Sequence, residues 1–234
     1  MNTMYRLRSL LILTIIICIS FATATASFAV TYTGSLSSEL GEIIGSGDWI
    51  NPGPTTIYWT ISQDDTGLWH YEYQLSVYDR DISHFILETS ATFTNANLLS
   101  PIGPFNEIEI KTHTPGSGSP NLPGNIYGIK FDDATGTTGI FAFDSWRCPV
   151  WGDFYIKGGA AKNEDVDINK QQEFNTAYNS GFSAVDPIDD AANGSLNGHL
   201  LVPDTKTVVP EPSSIAVLLT GLMPIVGYTL KRRK

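Results

Sequence analysis

The most constraining feature of this sequence is a regular alternation of apolar and polar residues in the segment Leu68–Asp79. Successive side chains on an extended strand point to opposite faces of a sheet, so the alternation predicts a strand with one buried face. A β-branched and aromatic run, Thr55–Ser62, precedes it, and Asp64–Gly67 has the composition of a turn. The two runs predict a β-hairpin whose second strand buries Trp69, Tyr71, Tyr73, Leu75 and Val77.

The rest of the chain between residues 27 and 208 repeats this pattern in short runs separated by Gly, Pro, Asn and Asp. We predict an all-β fold, an antiparallel β-sandwich or jelly roll, with a two-layer core that needs no disulfides. The further predicted strands are Ser83–Thr89, Glu107–Lys111, Asn125–Asp132, Gly139–Asp144, Asp153–Lys157 and His199–Val202. Their core-facing residues are predicted to be Ile108, Ile110, Tyr127, Ile129, Phe131, Phe141, Phe143, Phe154 and Ile156.

Two segments depart from the strand pattern. Thr112–Gly124 is rich in Pro, Gly and Ser and predicts an exposed loop. Asn163–Tyr178 has a helical composition, which predicts one short helix packed on a sheet edge.

The N-terminal residues 1–26 have the three parts of a secretory signal peptide, which predicts a helix that is removed on export. Arg6 and Arg8 supply the positive charge, and Leu10–Phe21 supplies a short apolar stretch. Ala24-Thr25-Ala26 fits a cleavage site after Ala26, and Ser27-Phe28-Ala29 is a second candidate. An uncleaved anchor is the alternative interpretation, although the apolar stretch is shorter than the ~20 residues of a membrane span.

The C-terminal residues 209–234 also have three parts in series. Val209-Pro210-Glu211-Pro212 comes first, then the uncharged apolar run Ile215–Leu230, and then a basic cluster of Lys231, Arg232, Arg233 and Lys234. The apolar run predicts a transmembrane helix 215–230, and the basic cluster predicts that its end stays cytoplasmic, as a stop signal. A simple single-pass tail anchor is one interpretation of this arrangement.

This order of features resembles the PEP-CTERM sorting signal of exported proteins from exopolysaccharide-producing Gram-negative bacteria. The resemblance covers residues 209–234, and it implies that Pro210, Glu211 and Pro212 form the motif that an exosortase recognises and cuts. It also implies an inner-membrane precursor, processed by signal peptidase and exosortase, whose body then reaches the cell surface or the exterior. Proline on both sides of Glu211 would hold the motif extended.

Parts of the body are similar to stretches in uncharacterised exported bacterial proteins with this tail. These stretches are Asp81–Phe85, Gly128–Asp132, Pro149–Tyr155 and His199–Asp204. This similarity implies a domain made for the cell exterior, and it implies no particular activity.

Charge is distributed very unevenly along the chain. All 24 acidic residues lie in the segment 27–214, whereas six of the 14 basic residues lie in the two terminal segments, which leaves 27–214 with a net charge of −16. Such an acidic body repels phosphate backbones, so nucleic-acid binding is excluded.

One cysteine, Cys148, lies outside the signal peptide. Its aromatic neighbours Trp146 and Trp151 indicate a buried thiol, with an intermolecular bridge or a nucleophile as alternatives. A nucleophile would need a base brought near by the fold, for which the candidates are His70, His84, His113 and His199.

Two further patterns are weighed for ligand binding. Asp165-Val166-Asp167-Ile168-Asn169 has the spacing that begins a calcium loop, but Lys170 and Thr176 stand where Gly and Glu are needed, which indicates a solvated acidic face. Aromatic side chains can stack on sugars, yet core packing explains most tryptophans better. Trp49, in the Gly-rich segment Gly45–Gly53, is predicted to be the most exposed of Trp49, Trp59, Trp69, Trp146 and Trp151.

The sequence therefore predicts an exported, non-catalytic cell-surface or matrix protein associated with exopolysaccharide, with no catalytic residue, metal site or cofactor assigned. It contains no Gly-x-Ser-x-Gly, His-Glu-x-x-His or phosphate-loop motif. The alternatives are a secreted carbohydrate-active enzyme, whose paired carboxylates would converge only in three dimensions, and a calcium-dependent adhesive or carbohydrate-binding module.

Overall fold

A computed structural model describes residues 30–49, 53–160 and 174–207. Within these ranges the chain forms short strands joined by turns, and its helices are three single 3-10 turns, Ser38–Leu40, Gly47–Trp49 and Asn95–Asn97. The strands are β1 (Thr31–Ser37), β2 (Ile43–Ser46), β3 (Thr56–Gln63), β4 (Trp69–Ser76), β5 (Ile82–Glu88), β6 (Leu99–Ile102), β7 (Glu107–His113), β8 (Ile126–Asp132), β9 (Thr138–Ser145), β10 (Arg147–Gly152), β11 (Phe154–Ala160), β12 (Phe174–Asn179) and β13 (Leu200–Thr207).

The strands form two facing antiparallel sheets. The first sheet has the order β1-β3-β4-β9-β6, and the second has the order β2-β12-β11-β5-β8-β7. A separate two-stranded ribbon, β10-β13, packs against the core. The hydroxyl of Tyr71 donates to the carbonyl of Arg147 at 2.6 Å, and that of Tyr73 donates to the carbonyl of Leu201 at 2.8 Å, so the ribbon is hydrogen-bonded to the first sheet. The predicted all-β, antiparallel character of the fold is confirmed.

The hairpin that the sequence predicts is present. Strands β3 and β4 are paired along their full length, with Thr56 opposite Ser76 at one end and Gln63 opposite Trp69 at the other. Every predicted core residue of β4 is buried, while His70 and Gln74 between them are exposed. The predicted faces of β8, β9 and β11 are likewise correct, because their aromatic and aliphatic residues lie in one core between the sheets. Ile108 and Ile110 of the edge strand β7 are partly buried against that core.

Aromatic rings fill the middle of the core. Phe85 of β5 lies at its centre, with ring centroids 5.2 Å from Phe141 and 5.8 Å from Phe131. Tyr73 and Phe154 also contact it, at 5.9 Å and 6.4 Å. Phe85 therefore joins the two sheets through packing on several sides.

The predicted short helix is wrong where the structure describes it. Residues Phe174–Asn179 are β12, which lies between β11 and β2, while residues 163–173 of the predicted helix lie outside the described ranges. Tyr178 pairs with Tyr155 on one side and with Ile44 on the other. Neighbouring strands on both sides satisfy the backbone of β12, and this long-range pairing overrides the helical composition.

The predicted exposed loop Thr112–Gly124 is only partly exposed. Its start belongs to β7, and the remainder crosses the outer face of the second sheet. There Pro120 accepts a hydrogen bond from the Tyr155 hydroxyl at 2.6 Å, and Asn121 donates to Ser46 at 3.2 Å. Leu122 is buried against Ile86, Ile126 and Tyr155, so the crossing segment covers a second, smaller apolar cluster.

Among the described residues no helix has the length and apolarity needed to cross a membrane. The predicted signal peptide 1–26 and the predicted transmembrane helix 215–230 lie outside these residues.

Candidate functional site

Four titratable side chains meet at one end of the second sheet. Glu88 is the last residue of β5, Asp153 lies between β10 and β11, and His199 directly precedes β13. Asp186 comes from the connection between β12 and β13. Ligand atoms of Asp153, Asp186 and His199 all lie within 4.8 Å of one another. Three strand ends and one connecting segment, from distant parts of the chain, therefore build this cluster.

Asp153 is held in place through both its backbone and its side chain. Its N–H donates to Glu88 Oε2 at 2.8 Å, and the N–H of Glu88 donates to its carbonyl at 2.9 Å. Its Oδ1 accepts a hydrogen bond of 2.6 Å from Asn179 Nδ2. Asn179 is completely buried and also donates to Gly198 O at 2.9 Å and accepts from Phe154 N at 2.9 Å. These bonds fix the direction of the Asp153 carboxylate.

His199 is completely buried, and its ring orientation is set by the backbone. Nδ1 lies 3.1 Å from the carbonyl of Leu196, which can only accept, so this nitrogen carries the proton in the neutral ring. Nε2 then presents a lone pair 3.7 Å from Asp153 Oδ1 and 3.6 Å from Asp186 Oδ1. A Cβ at Gly181 would come within 2.5 Å of His199 Cε1, so glycine there lets the ring approach the backbone.

The environment of the cluster disfavours negative charge on its carboxyl groups. Burial, together with the charges of Asp186 and Asp153, raises the pKa of Glu88 to about 8. Burial raises the pKa of Asp153 above its usual range, although the Asn179 hydrogen bond opposes this shift. Burial raises the pKa of Asp186 as well. A proton or a bound cation would therefore be favoured here.

A pocket of about 340 Å³ adjoins the cluster and is open to solvent. The Asp186 side chain is 44% exposed and lies between the pocket and the buried groups. Within the described part of the chain, three buried polar atoms of the lining have no hydrogen-bond partner: Thr89 Oγ1, Ser90 Oγ and Trp151 Nε1. Trp151 is the one aromatic residue among the described residues that line this pocket.

The four histidines considered as bases lie at three separate places. His70 is on the first sheet, with Nδ1 2.7 Å from Asp144 Oδ1. His84 and His113 lie on the second sheet, and His199 belongs to the cluster. Cys148 lies in β10 and is half-buried, so the prediction of a buried thiol is only partly confirmed.

The prediction that Trp49 is exposed is wrong. Trp49 is completely buried, and its Nε1 donates to the carbonyl of Asp79 at 2.5 Å. Asp79 belongs to the connection between β4 and β5, so the contact that buries Trp49 is not local in sequence. Trp146 is the exposed tryptophan, at 47%, whereas the other three described tryptophans are buried as predicted.

The remaining predicted site residues lie outside the described ranges. These are Ala26, the motif Pro210, Glu211 and Pro212, the basic cluster Lys231, Arg232, Arg233 and Lys234, and the acidic run Asp165–Asn169.

Sequence reasoning did not assign Glu88, Asp153 or Asp186 to any site. No motif joins them, because Glu88 and Asp153 lie at the ends of different strands and Asp186 lies in the connection between β12 and β13. One signal in the sequence was available. Asp153 lies in the stretch Pro149–Tyr155, and His199 begins the stretch His199–Asp204, and both stretches are similar to those of other exported proteins.

A pH-dependent contribution to stability is expected from His84. This side chain is 2% exposed, and burial, followed by the charge of Lys130, lowers its pKa to about 3. Lys157 and His113 also disfavour its protonation, whereas Asp132 favours it. Because the folded pKa lies below the unfolded value, the neutral ring stabilises the fold above pH ~6.5, and this contribution is lost as the pH falls toward ~3.

As the pH falls from ~6 to ~4, the free energy of unfolding of the wild-type chain should therefore decrease more steeply than that of His84→Gln. The expected difference between the two slopes is about 1 kcal/mol per pH unit. Urea unfolding of both full-length chains in mild detergent at several pH values measures this difference. Comparison with the variant cancels the opposite contributions of Glu88 and Asp153. Parallel pH profiles for the two chains would contradict the prediction.

Comparisons with known proteins do not assign a function to this cluster. No family model matches the chain, and no curated protein matches it. Among solved structures, it is similar to a chain from work described as "pH-induced modulation of Streptococcus parasanguinis adhesion by Fap1 fimbriae". The identity is 13%, the match covers 69% of this chain and 100% of that chain, and the TM-score is 0.29. At this TM-score the similarity supports no conclusion about fold or function.

Proposed function

We propose that this protein is an exported, non-catalytic domain of the cell surface or extracellular matrix, released from a membrane-held precursor by an exosortase. The observation that carries this proposal is the order of three features at the C-terminus. The motif Pro210–Pro212 precedes the apolar run Ile215–Leu230, and the basic cluster Lys231–Lys234 follows it.

Each feature has a physical role in sorting. Signal peptidase would cut after Ala26, and the apolar run would then hold the precursor in the inner membrane. The basic cluster would remain cytoplasmic, which places Glu211 on the outer side. Proline on either side keeps Glu211 out of helix and sheet, so an exosortase would meet an extended segment with one carboxylate.

The fold supports processing at both ends. The first described strand begins at Thr31, just after Ala26, and β13 ends at Thr207, just before Pro210. The two-layer core is built from residues between these points. Removal of both terminal segments would leave the described strands intact.

The charge of the body supports a role in a hydrated matrix. Without residues 1–26 and 215–234 the net charge changes from −10 to −16. A surface of this charge favours solubility and water retention. We propose association with exopolysaccharide on this basis, and contact with the inner membrane only as a precursor.

Mass spectrometry of the exported protein, recovered from its own bacterium, tests the sorting proposal. The expected N-terminus follows Ala26, and the expected C-terminus lies near Glu211–Ser214. Surface-located protein that still carries Arg233 and Lys234 would overturn exosortase processing.

A variant pair separates motif recognition from general effects of charge. Glu211→Gln is expected to reduce the processed fraction at least tenfold (~1.4 kcal/mol) because it removes the carboxylate of the motif. Glu107→Gln makes the same change at an exposed position of β7 and should be processed like the wild type. Equal processing of both variants would contradict a recognition role for Glu211.

A further inference from the structure

The cluster formed by Asp153, Asp186 and His199 has the spacing of ligands around a small cation. Nε2 of His199 lies 3.6 Å and 3.7 Å from the two carboxylate oxygens, which is too long for hydrogen bonds. Two ligand atoms at ~2.1 Å from one metal ion, in tetrahedral arrangement, lie ~3.4 Å apart. The three atoms can therefore converge on one ion after small adjustments.

The buried imidazole nitrogen is an independent indication of a ligand. His199 is completely buried, and its Nε2 has no hydrogen-bond partner in the described part of the chain. Buried polar atoms are rarely left unpaired, because desolvation without a partner costs free energy. Here the nitrogen lone pair points toward two acceptor oxygens, so only a proton or a cation between them would satisfy all three atoms.

Hydrogen bonds from neighbouring groups orient the side chains of His199 and Asp153, as is common for residues that bind a metal ion. A metal-binding histidine commonly donates its other N–H to a backbone carbonyl, as His199 Nδ1 does to Leu196. The Asp153 carboxylate is oriented by Asn179. Glu88 adds a further carboxyl group and accepts from the Asp153 backbone. Hydrogen bonds therefore orient two of the three ligands, Asp153 and His199, whereas Asp186 comes from the connection between β12 and β13.

The cluster of Asp153, Asp186 and His199 can be reached from solvent past the side chain of Asp186. Its carboxylate is partly exposed, and the pocket of about 340 Å³ begins beside it. Three protein ligands would leave at least one coordination position open to this pocket, for water or for an oxygen atom of a bound molecule.

We propose that Asp153, Asp186 and His199 form a binding site for a first-row divalent cation, such as Zn²⁺. An imidazole nitrogen combined with carboxylates suits this class of ion, whereas Ca²⁺ and Mg²⁺ prefer oxygen ligands throughout. The site does not depend on the C-terminal processing proposed above, because its ligands all lie within the folded body.

The test uses the full-length chain without a histidine tag, purified in mild detergent and freed of metal with a chelator. Zn²⁺ at ~100 times the dissociation constant should raise the midpoint of thermal unfolding by about 5 °C or more. Co²⁺ in place of Zn²⁺ should give visible absorption bands of a nitrogen- and oxygen-coordinated ion. Stabilisation by Ca²⁺ but not by Zn²⁺ would overturn the assignment of the ion.

A matched pair of variants locates the ion. Asp186→Asn removes a ligand from a partly exposed position, so the chain should still fold, and it should weaken Zn²⁺ binding at least tenfold. Asp189→Asn makes the same change at another residue of the pocket rim and should bind like the wild type. His199→Gln should also lose the Co²⁺ bands. Equal Zn²⁺ binding by the wild type and Asp186→Asn, or no binding at micromolar Zn²⁺, would overturn the proposal.

Discussion

Replacing Asn179 with aspartate should lower the free energy of unfolding by about 3–5 kcal/mol. The amide nitrogen of Asn179 donates to Asp153 Oδ1 and to Gly198 O, and the change places an oxygen opposite both acceptors. The new carboxyl group would be completely buried beside another carboxylate. The bond from Phe154 N to Oδ1 can persist, so the loss is confined to the two donated bonds and the repulsion.

Urea unfolding of the full-length chain with chelator present measures this effect, and chelation keeps it separate from metal binding. Asn193→Asp is the matched control, because the exposed Asn193 uses its side-chain oxygen to accept from Thr33 N at 2.9 Å. An aspartate there can accept the same bond, so the control should change stability by less than about 1 kcal/mol. A similar small change in both variants would show that Asn179 does not tie the strand ends together.

Replacing Phe85 with alanine should destabilise the fold by about 3–5 kcal/mol, which corresponds to roughly 10 °C in the midpoint of thermal unfolding. The ring is completely buried and contacts aromatic rings from both sheets. Its removal leaves a cavity that the neighbouring rings can fill only in part. Phe85→Leu retains most of the volume and should cost less than about 2 kcal/mol.

The control for Phe85 is Tyr58→Ala, on the outward face of β3. Tyr58 is 52% exposed, so its truncation should cost at most about 1 kcal/mol. The urea concentration at the midpoint of unfolding should fall in proportion to the free-energy loss expected for each variant. The slope of unfolding free energy against urea concentration should stay the same as in the wild type. A loss below about 1.5 kcal/mol for Phe85→Ala would mean that the two sheets do not share this core.

The strand faces could be predicted because alternation is a local property of the chain. Trp69, Tyr71 and Tyr73 are buried in β4 as their spacing requires, and the same argument succeeds for Ile129 and Phe131 in β8. Strands without clear alternation were missed. Thr31–Ser37, Ile43–Ser46, Leu99–Ile102 and Arg147–Gly152 are short, polar or interrupted by Gly and Pro, and their pairing partners stabilise them as strands.

The candidate site could not be predicted in the same way. Glu88, Asp153, Asp186 and His199 carry no spacing motif, since they meet only after β5, β11 and β13 have found their partners. Trp49 illustrates the same limit, because the residue that receives its hydrogen bond, Asp79, lies beyond a complete hairpin. Composition near Trp49 suggested an exposed loop, whereas a distant contact buries it.

The sequence alone determined the all-β character of the body, the inward faces of its main strands and the order of signals that led to the sorting proposal. Each of these depends on neighbouring residues, either through the two-residue period of a strand or through charge next to an apolar run. Only the tertiary structure decided that β12 is a strand, that the segment after β7 crosses a sheet, and that the carboxylates of Asp153 and Asp186 lie beside His199. Those features depend on backbone pairing and burial between distant segments, which a pattern along one chain does not contain.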